Sequence, residues 1–367
     1  MWHDSRVRAA VVERLPGRPS ITDLDLDEPG IGELVVRVEA SGVCHSDVHA
    51  MHGHGMTFPV PFVLGHEPAG VVEAVGPGVR HLHPGDHVVA CLSVYCGHCP
   101  SCVTGKPYRC FTDDYARGPD APARLHRDGE VVHQFVGLGS FAERMLVSQN
   151  NVVKVDPALA PSRACLLGCG VLTGVGAVLN TAQVPVGATV AVVGCGGVGL
   201  SVIQGARLAY ARRIVAVDVD DAKLDLARRC GATDLVNATT DDPVATVAAL
   251  TGGGVDFAFE AIGRPATIQQ ALAMTGMGGT MTVVGIADAA DQLSFTGADL
   301  MMGKRIQQSL MGSNRFAADI PMLVDHALAG RLDLDAMVST ERSLDDVPTT
   351  LDELDAGRVL GRAVITF

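Results

Sequence analysis

A nearly unbroken apolar run, Ala188-Thr-Val-Ala-Val-Val193, delivers the chain into Gly194-Cys-Gly-Gly-Val-Gly199, and no other stretch limits the fold so tightly. A strand, a turn built of glycine and an immediate helix from Val198 mark the opening of a βαβ unit. The rhythm that follows agrees. Arg213–Val217 reads as the next strand, a helix starts at Asp221, Asp234–Asn237 is again a strand, and further strands start at Val255 and Thr280. Strands separated by helices in this way predict a doubly wound parallel sheet.

Within the loop, Gly194 permits a tight turn, Gly196 lets the backbone approach a pyrophosphate, and Gly199 lets the helix lie close to the strand. Gly197 and Val198 stand at the helix start, whose positive end favours phosphate. Asp218, nineteen residues beyond Gly199, closes the next strand, where a carboxylate accepts hydrogen bonds from ribose hydroxyls and repels a 2′-phosphate. No arginine in Val219-Asp-Asp221 compensates, so NAD is expected over NADP. The alternative is a glycine turn that only packs a helix on a strand.

The part before Pro161 has a different texture. Leu34–Val38, Gly70–Val75 and His87–Ala90 read as short strands, punctuated by Gly76-Pro-Gly78 and Pro84-Gly-Asp86. Residues 111–133 read as a long surface loop, Ser162–Val184 as helical, and the tail as helices over Asp319–Ala329 and Leu344–Asp355 before a last strand, Ala363–Phe367. With 367 residues, two domains are the expectation. The β-rich part takes residues 1–171 and 313–367, and the α/β part residues 172–312. A net charge of −13 argues against a nucleic-acid surface, which needs clustered Lys and Arg. No apolar run is long enough for a membrane span and the N-terminus lacks an apolar signal core, so a cytoplasmic location is expected.

Cys96, Cys99, Cys102 and Cys110 fall within fifteen residues, inside a lobe over residues 91–112. In a reducing compartment such a cluster reads as metal ligation. Four thiolates suit tetrahedral zinc and leave no open position, so this site is structural; an iron–sulfur cluster could use the same set. Cys44, His66 and Cys169 form a second, dispersed candidate, in Gly42-Val-Cys-His-Ser-Asp47, Gly65-His-Glu67 and Gly168-Cys-Gly170. Two sulfurs and one imidazole would leave a fourth zinc position open to substrate. From spacing alone a lone buried cysteine or a turn histidine is more often structural than a ligand.

These segments, the four-cysteine lobe and the glycine loop occur together in the order of the zinc-containing medium-chain alcohol dehydrogenases, which the chain resembles from Leu34 to its end. The resemblance implies a GroES-like catalytic domain beside a Rossmann coenzyme domain, two Zn²⁺ per chain, NAD, and a homodimer. It implies that Cys44, His66 and Cys169 hold the catalytic zinc and Cys96, Cys99, Cys102 and Cys110 the structural one. Ser46 would pass the substrate proton through the nicotinamide ribose to His49, with helix capping as the plain alternative for Ser46. Asp47 would orient His66, and Glu67 would sit behind the metal or simply pair with Arg362.

Arg362 matches a phosphate-binding arginine of the family, and Lys223 a lysine near the adenosine ribose. His45 stands where the family often has arginine against the pyrophosphate, a departure that makes phosphate binding pH-dependent. Met56 and Leu92 are expected to face substrate, and with only 4% aromatic residues the pocket should be mainly aliphatic. The activity so implied is reversible NAD-linked oxidation of primary alcohols, medium-chain or aryl, to aldehydes. Two variants stay open. One is a thiol-adduct formaldehyde dehydrogenase, which needs cations such as Arg117, Arg124 and Arg127. The other is a nicotinoprotein that never releases NAD. A zinc-ribbon interaction module on a nucleotide sensor is the non-enzymatic alternative.

Overall fold

The computed structural model describes residues 5–53, 58–111, 117 and 123–367. They form two compact units, the first Met1–Cys169 with Arg315–Ala329 and Val338–Phe367, the second Gly170–Asn314 with Gly330–Met337.

The second unit is built on a six-stranded parallel sheet in the order Asp234–Asn237, Arg213–Asp218, Thr189–Val193, Val255–Glu260, Thr275–Val283, Arg305–Gln308. Thr189–Val193 is buried at every position, which is why its sequence shows no alternation. Val193, Val217, Val236 and Ala258 meet Val247, Ile268 and Leu272 of the covering helices in one core. Local chemistry sets the helix ends. Asp220 and Asp242 accept hydrogen bonds from Ala222 and Val244 N–H at N-termini, and Gly231 and Gly252 end the same helices in the left-handed conformation. Strand order reverses beside Thr189–Val193, and ligands of such sheets bind at the carboxyl ends of strands there. The expected doubly wound sheet is present.

The first unit combines a closed barrel with an open sheet. Arg6–Val12, Ser20–Leu26, Leu125–Arg127, Glu130–Gln134 and Phe62–Val63 close the barrel. The seven-stranded sheet runs Val152–Lys154, His87–Ala90, Glu67–Val75, Glu33–Gly42, Arg362–Thr366, Val338–Arg342, with Arg144–Ser148 also paired to Glu33–Gly42. The last strand therefore lies beside Glu33–Gly42, bringing Val364 opposite Gly42. The helix Val347–Asp355 packs Leu351 and Leu354 into the core that holds Val43, Val48 and Met51.

Two expectations need correction. The presumed loop over residues 111–133 contains a hairpin, Leu125–Arg127 with Glu130–Gln134. Its turn is Asp128-Gly129 with φ of 51° and 84°, the positive pair that a two-residue hairpin demands, and Leu125 and Val132 point inward. The Asp-Gly signal stood in the sequence, hidden by the Pro-rich residues before it. The helix expected over Ser162–Val184 is interrupted: Pro161–Ala164 tightens into a 3₁₀ turn over Cys165–Gly168, and Cys169 leaves helical geometry at φ −142°, ψ −75°. Helix resumes at Gly170–Gly176 and widens to π geometry over Ala177–Ala182.

Candidate active site

The first unit gathers Cys44, His66, Glu67 and Cys169, all buried, with one donor atom of each within 4.8 Å of every other. Each arrives by a different route. Cys44 is the N-cap of the helix His45–His52, His66 stands just before the strand Glu67–Val75, and Cys169 occupies the helix break. Asp47 ties the first two together. Its Oδ2 accepts the Cys44 N–H at 3.0 Å, and its Oδ1 accepts the Gly65 N–H at 3.1 Å and faces His66 Nδ1 at 3.0 Å. With Nδ1–H donating to Asp47, Nε2 is the ring atom left to meet a metal, and it is buried without a hydrogen-bond partner. Cys44 rather than Ser46 caps the helix; the Ser46 hydroxyl instead lies 3.8 Å from Cys44 Sγ.

Burial and mutual charge shift the ionisation of all four groups. Cys44 is the more easily ionised thiol: the Cys169 thiol beside it, His66 and Arg362 draw its pKa well below the usual value against the effect of burial. The Cys44 sulfur and burial push Cys169 well up. Burial opposes a charged His66, but Asp47 and Cys44 prevail and hold its pKa well above the usual imidazole value. Burial raises Glu67 although Arg362 donates to its Oε2, and its Oε1 is buried without a partner. Two sulfurs, the Glu67 carboxylate and the His66 ring thus meet at one point, and a divalent ion bound there would hold the thiols as thiolates and the imidazole neutral. The residues fit zinc.

The four-cysteine lobe converges as well, with one sulfur of each cysteine within 4.8 Å of the others. Cys96 N–H points at Cys110 Sγ at 3.4 Å and Cys99 N–H at Cys96 Sγ at 3.3 Å, the pattern that steadies thiolates. Burial and the three neighbouring sulfurs push the Cys102 thiol up to about 12. Bound metal would remove that penalty by holding all four as thiolates.

In the second unit the glycines divide their work as the motif implies. Gly194 has φ of 94°, and a side chain there would press on Ile262 at 2.6 Å. At Gly196 the space is open, and at Gly199 a side chain would overlap the Gly194 carbonyl. Gly196 is the N-cap of the helix Gly197–Leu208, whose first N–H groups receive no side-chain cap. Asp218 is already oriented: its Oδ2 accepts the Cys195 N–H at 2.7 Å and its Oδ1 those of Val219 and Asp220 at 2.8 and 3.2 Å.

Other expected residues scatter. Ser46 is half-buried, His45 and His49 are exposed, Lys223 and Leu92 are partly buried, and Met56 lies outside the described residues. Arg362 is buried against Glu67, which realises the pairing alternative for Glu67, and its Nε has no partner. Sequence reasoning missed Phe135 and Phe58. Phe135 sets its edge against the His66 ring at 5.4 Å between centroids, and Phe58 packs on Phe135 at 4.9 Å. The surroundings of His66 are thus more aromatic than composition implied. No local signal marks Phe135; the left-handed Val136 that follows, φ 46°, is visible only in three dimensions.

Residues 30–157 match the family described as "Alcohol dehydrogenase GroES-like domain" and residues 197–325 the one described as "Zinc-binding dehydrogenase". The S-(hydroxymethyl)glutathione dehydrogenase of Escherichia coli O139:H28 is 37% identical over 366 residues, covering 98% of this chain and 99% of that protein. An alcohol dehydrogenase zinc-binding domain protein from Burkholderia ambifaria superposes with a TM-score of 0.93 at 36% identity, covering 99% of each chain. The benzyl alcohol dehydrogenase of Acinetobacter calcoaceticus gives a TM-score of 0.90 at 33% identity, again over 99% of each.

Proposed function

The chain belongs to the family of zinc-containing alcohol dehydrogenases, and from that premise we propose that it oxidises primary alcohols, medium-chain or aryl, reversibly to aldehydes with NAD. The convergence of Cys44, His66 and Cys169 on one buried point, with Asp47 bracing two of them, carries the reading. Zinc bound there supplies Lewis acidity toward the substrate oxygen, and NAD supplies the two-electron acceptor.

The chain's own residues do the rest. Cys44, His66 and Cys169 are the metal ligands, and Asp47 fixes the His66 tautomer and the Cys44 backbone. Glu67, held by Arg362, adds negative charge behind the ligands. The Ser46 hydroxyl, next to Cys44 Sγ, accepts the substrate proton as it gives up its own toward solvent. His49, three residues on along the same helix and exposed, hands it to solvent. Phe135 and Phe58 keep water from the imidazole. Cys96, Cys99, Cys102 and Cys110 form a closed structural zinc site, since four sulfurs leave no position for substrate.

In the second unit the N–H groups of Gly197 and Val198 receive phosphate, and Asp218 receives the ribose hydroxyls and selects NAD over NADP. His45 and Lys223 assist at phosphate and ribose. We extend the same reading to a homodimer, supported by the edge strand Arg305–Gln308, where Ile306 is exposed as are Leu300 and Met301 just before it.

A second reading, dehydrogenation of a hydroxymethyl thiol adduct, is favoured by the name of the 37% identical relative. Against it, the arginines that could receive such a ligand's carboxylates are engaged. Arg117 pairs with Asp27 and Glu33, Arg124 with Glu33, and Arg127 with Glu13. Turnover of benzyl alcohol, and of formaldehyde with and without glutathione, followed by NADH absorbance, tests the choice. Benzyl alcohol should be oxidised without thiol. Activity confined to formaldehyde plus glutathione would hand the assignment to the second reading.

A further inference from the structure

Each member of the proposed ligand triad follows closely on a glycine whose missing side chain is occupied by a neighbouring element. Gly168 directly precedes Cys169, and a Cβ there would overlap the carbonyl oxygen of Ala90, at the end of the strand His87–Ala90. Gly65 directly precedes His66. It has φ of 92°, and its Cβ would lie 2.5 Å from Phe141 N and 2.7 Å from Ser140 Oγ. Gly42 precedes Cys44 by two residues, and its Cβ would overlap the Glu67 carboxylate.

These approaches are held rather than incidental. Gly65 is boxed: its N–H donates to Asp47, its carbonyl accepts from Ser140 N–H at 2.9 Å, and the preceding Leu64 carbonyl accepts from Phe141 N–H at 2.9 Å. Ser140 Oγ is fixed in turn by Ser41 Oγ at 2.8 Å. Gly42 is flanked on both sides, opposite Glu67 in one strand and Val364 in the other. Three backbone segments from distant parts of the chain are thus docked at van der Waals limit, one residue or two before the donor atom each presents.

We infer that Gly42, Gly65 and Gly168 are positioning residues for the metal: they set where the Cys44, His66 and Cys169 donor atoms stand, beyond any contribution to folding. The inference rests on the ligand assignment proposed above. A methyl group at Gly168 must displace the segment that carries Cys169, because the obstacle is backbone in a sheet and cannot rotate away. The sulfur then moves relative to the other two donors, and metal geometry is sensitive to shifts smaller than an ångström.

The matched control is Gly76, where a Cβ would overlap the Gly30 carbonyl in the same unit but no proposed ligand is near in sequence. The test uses the full chain loaded with cobalt(II), reading metal affinity, the ligand-field and thiolate charge-transfer bands, and the thermal midpoint. Gly168→Ala should bind cobalt at this site roughly tenfold or more weakly, with shifted bands. Gly76→Ala should lower the midpoint and leave bands and affinity as in the parent. Equal bands and affinity in both variants would overturn the inference. Should Gly168→Ala not fold, Gly42→Ala is read in its place, since the obstacle there is the side chain of Glu67; parental bands and affinity in that variant overturn the inference equally. Failure of the ligand assignment looks different. In that case the parent chain binds one metal, which Cys110→Ser abolishes and Cys169→Ser does not touch.

Discussion

Asp47 Oδ1 stands 3.0 Å from Nδ1 of His66, and both side chains are wholly buried. The same carboxylate accepts the backbone N–H groups of Cys44 and Gly65, so one side chain steadies two segments that are remote in sequence. Asp47→Ala strips the imidazole and two buried N–H groups of their acceptor. Zinc affinity at this site should fall roughly 10- to 100-fold, measured by competition with a chromophoric chelator. Parental affinity in the variant would show that Asp47 does not orient the ligand.

Asp218, the last residue of its strand, is held by three backbone N–H groups. Asp218→Gly removes both the ribose acceptor and the charge that repels a 2′-phosphate. The ratio of kcat/KM for NAD over NADP should drop by about tenfold or more, the worth of one hydrogen bond to a charged group. An unchanged ratio takes Asp218 out of cofactor selection.

His49 is exposed while Ser46, one turn earlier, is half-buried next to Cys44. His49→Gln should slow alcohol oxidation at neutral pH by about tenfold or more. The deficit should shrink as pH rises, because hydroxide can then take the proton directly. A pH profile identical to that of the parent chain excludes the relay.

Glu33 gives a stability signature. Burial favours its neutral form, but hydrogen bonds from Arg117 and Arg124 outweigh burial and lower its pKa from 4.5. A depressed carboxylate contributes stability above its unfolded pKa and loses it as pH falls through the folded one. Glu33→Gln should therefore cost roughly 2 kcal/mol at pH 7, and the gap in thermal midpoint between variant and parent should close below the ordinary glutamate range. A gap that stays constant from neutral to acid would refute the charge assignment.

Legibility from sequence followed the range of each interaction. The βαβ rhythm was readable because period, caps and glycine turns act within a dozen residues, and the four-cysteine lobe because its ligands share one short loop. The hairpin Leu125–Gln134 was hidden although Asp128-Gly129 announced it, since proline and charge nearby outweighed a two-residue signal. The helix break at Cys169 was passed over although Gly168 and Gly170 flank it, since alanine, leucine and helical spacing on either side outweighed two glycines. Phe135 against His66 and Arg362 against Glu67 were beyond local pattern altogether.

The sequence by itself determined which donors this chain can offer: paired thiols, an imidazole, a glycine turn before a helix and a carboxylate after the next strand. Only the tertiary structure decided that Cys44 and Cys169, 125 residues apart, share one buried point with His66, and that Arg362 returns 295 residues to meet Glu67. The physical reason is sheet closure. Backbone pairing places the C-terminal strand beside Glu33–Gly42, and glycines at Gly42, Gly65 and Gly168 let the segments approach closely enough for their donor atoms to meet.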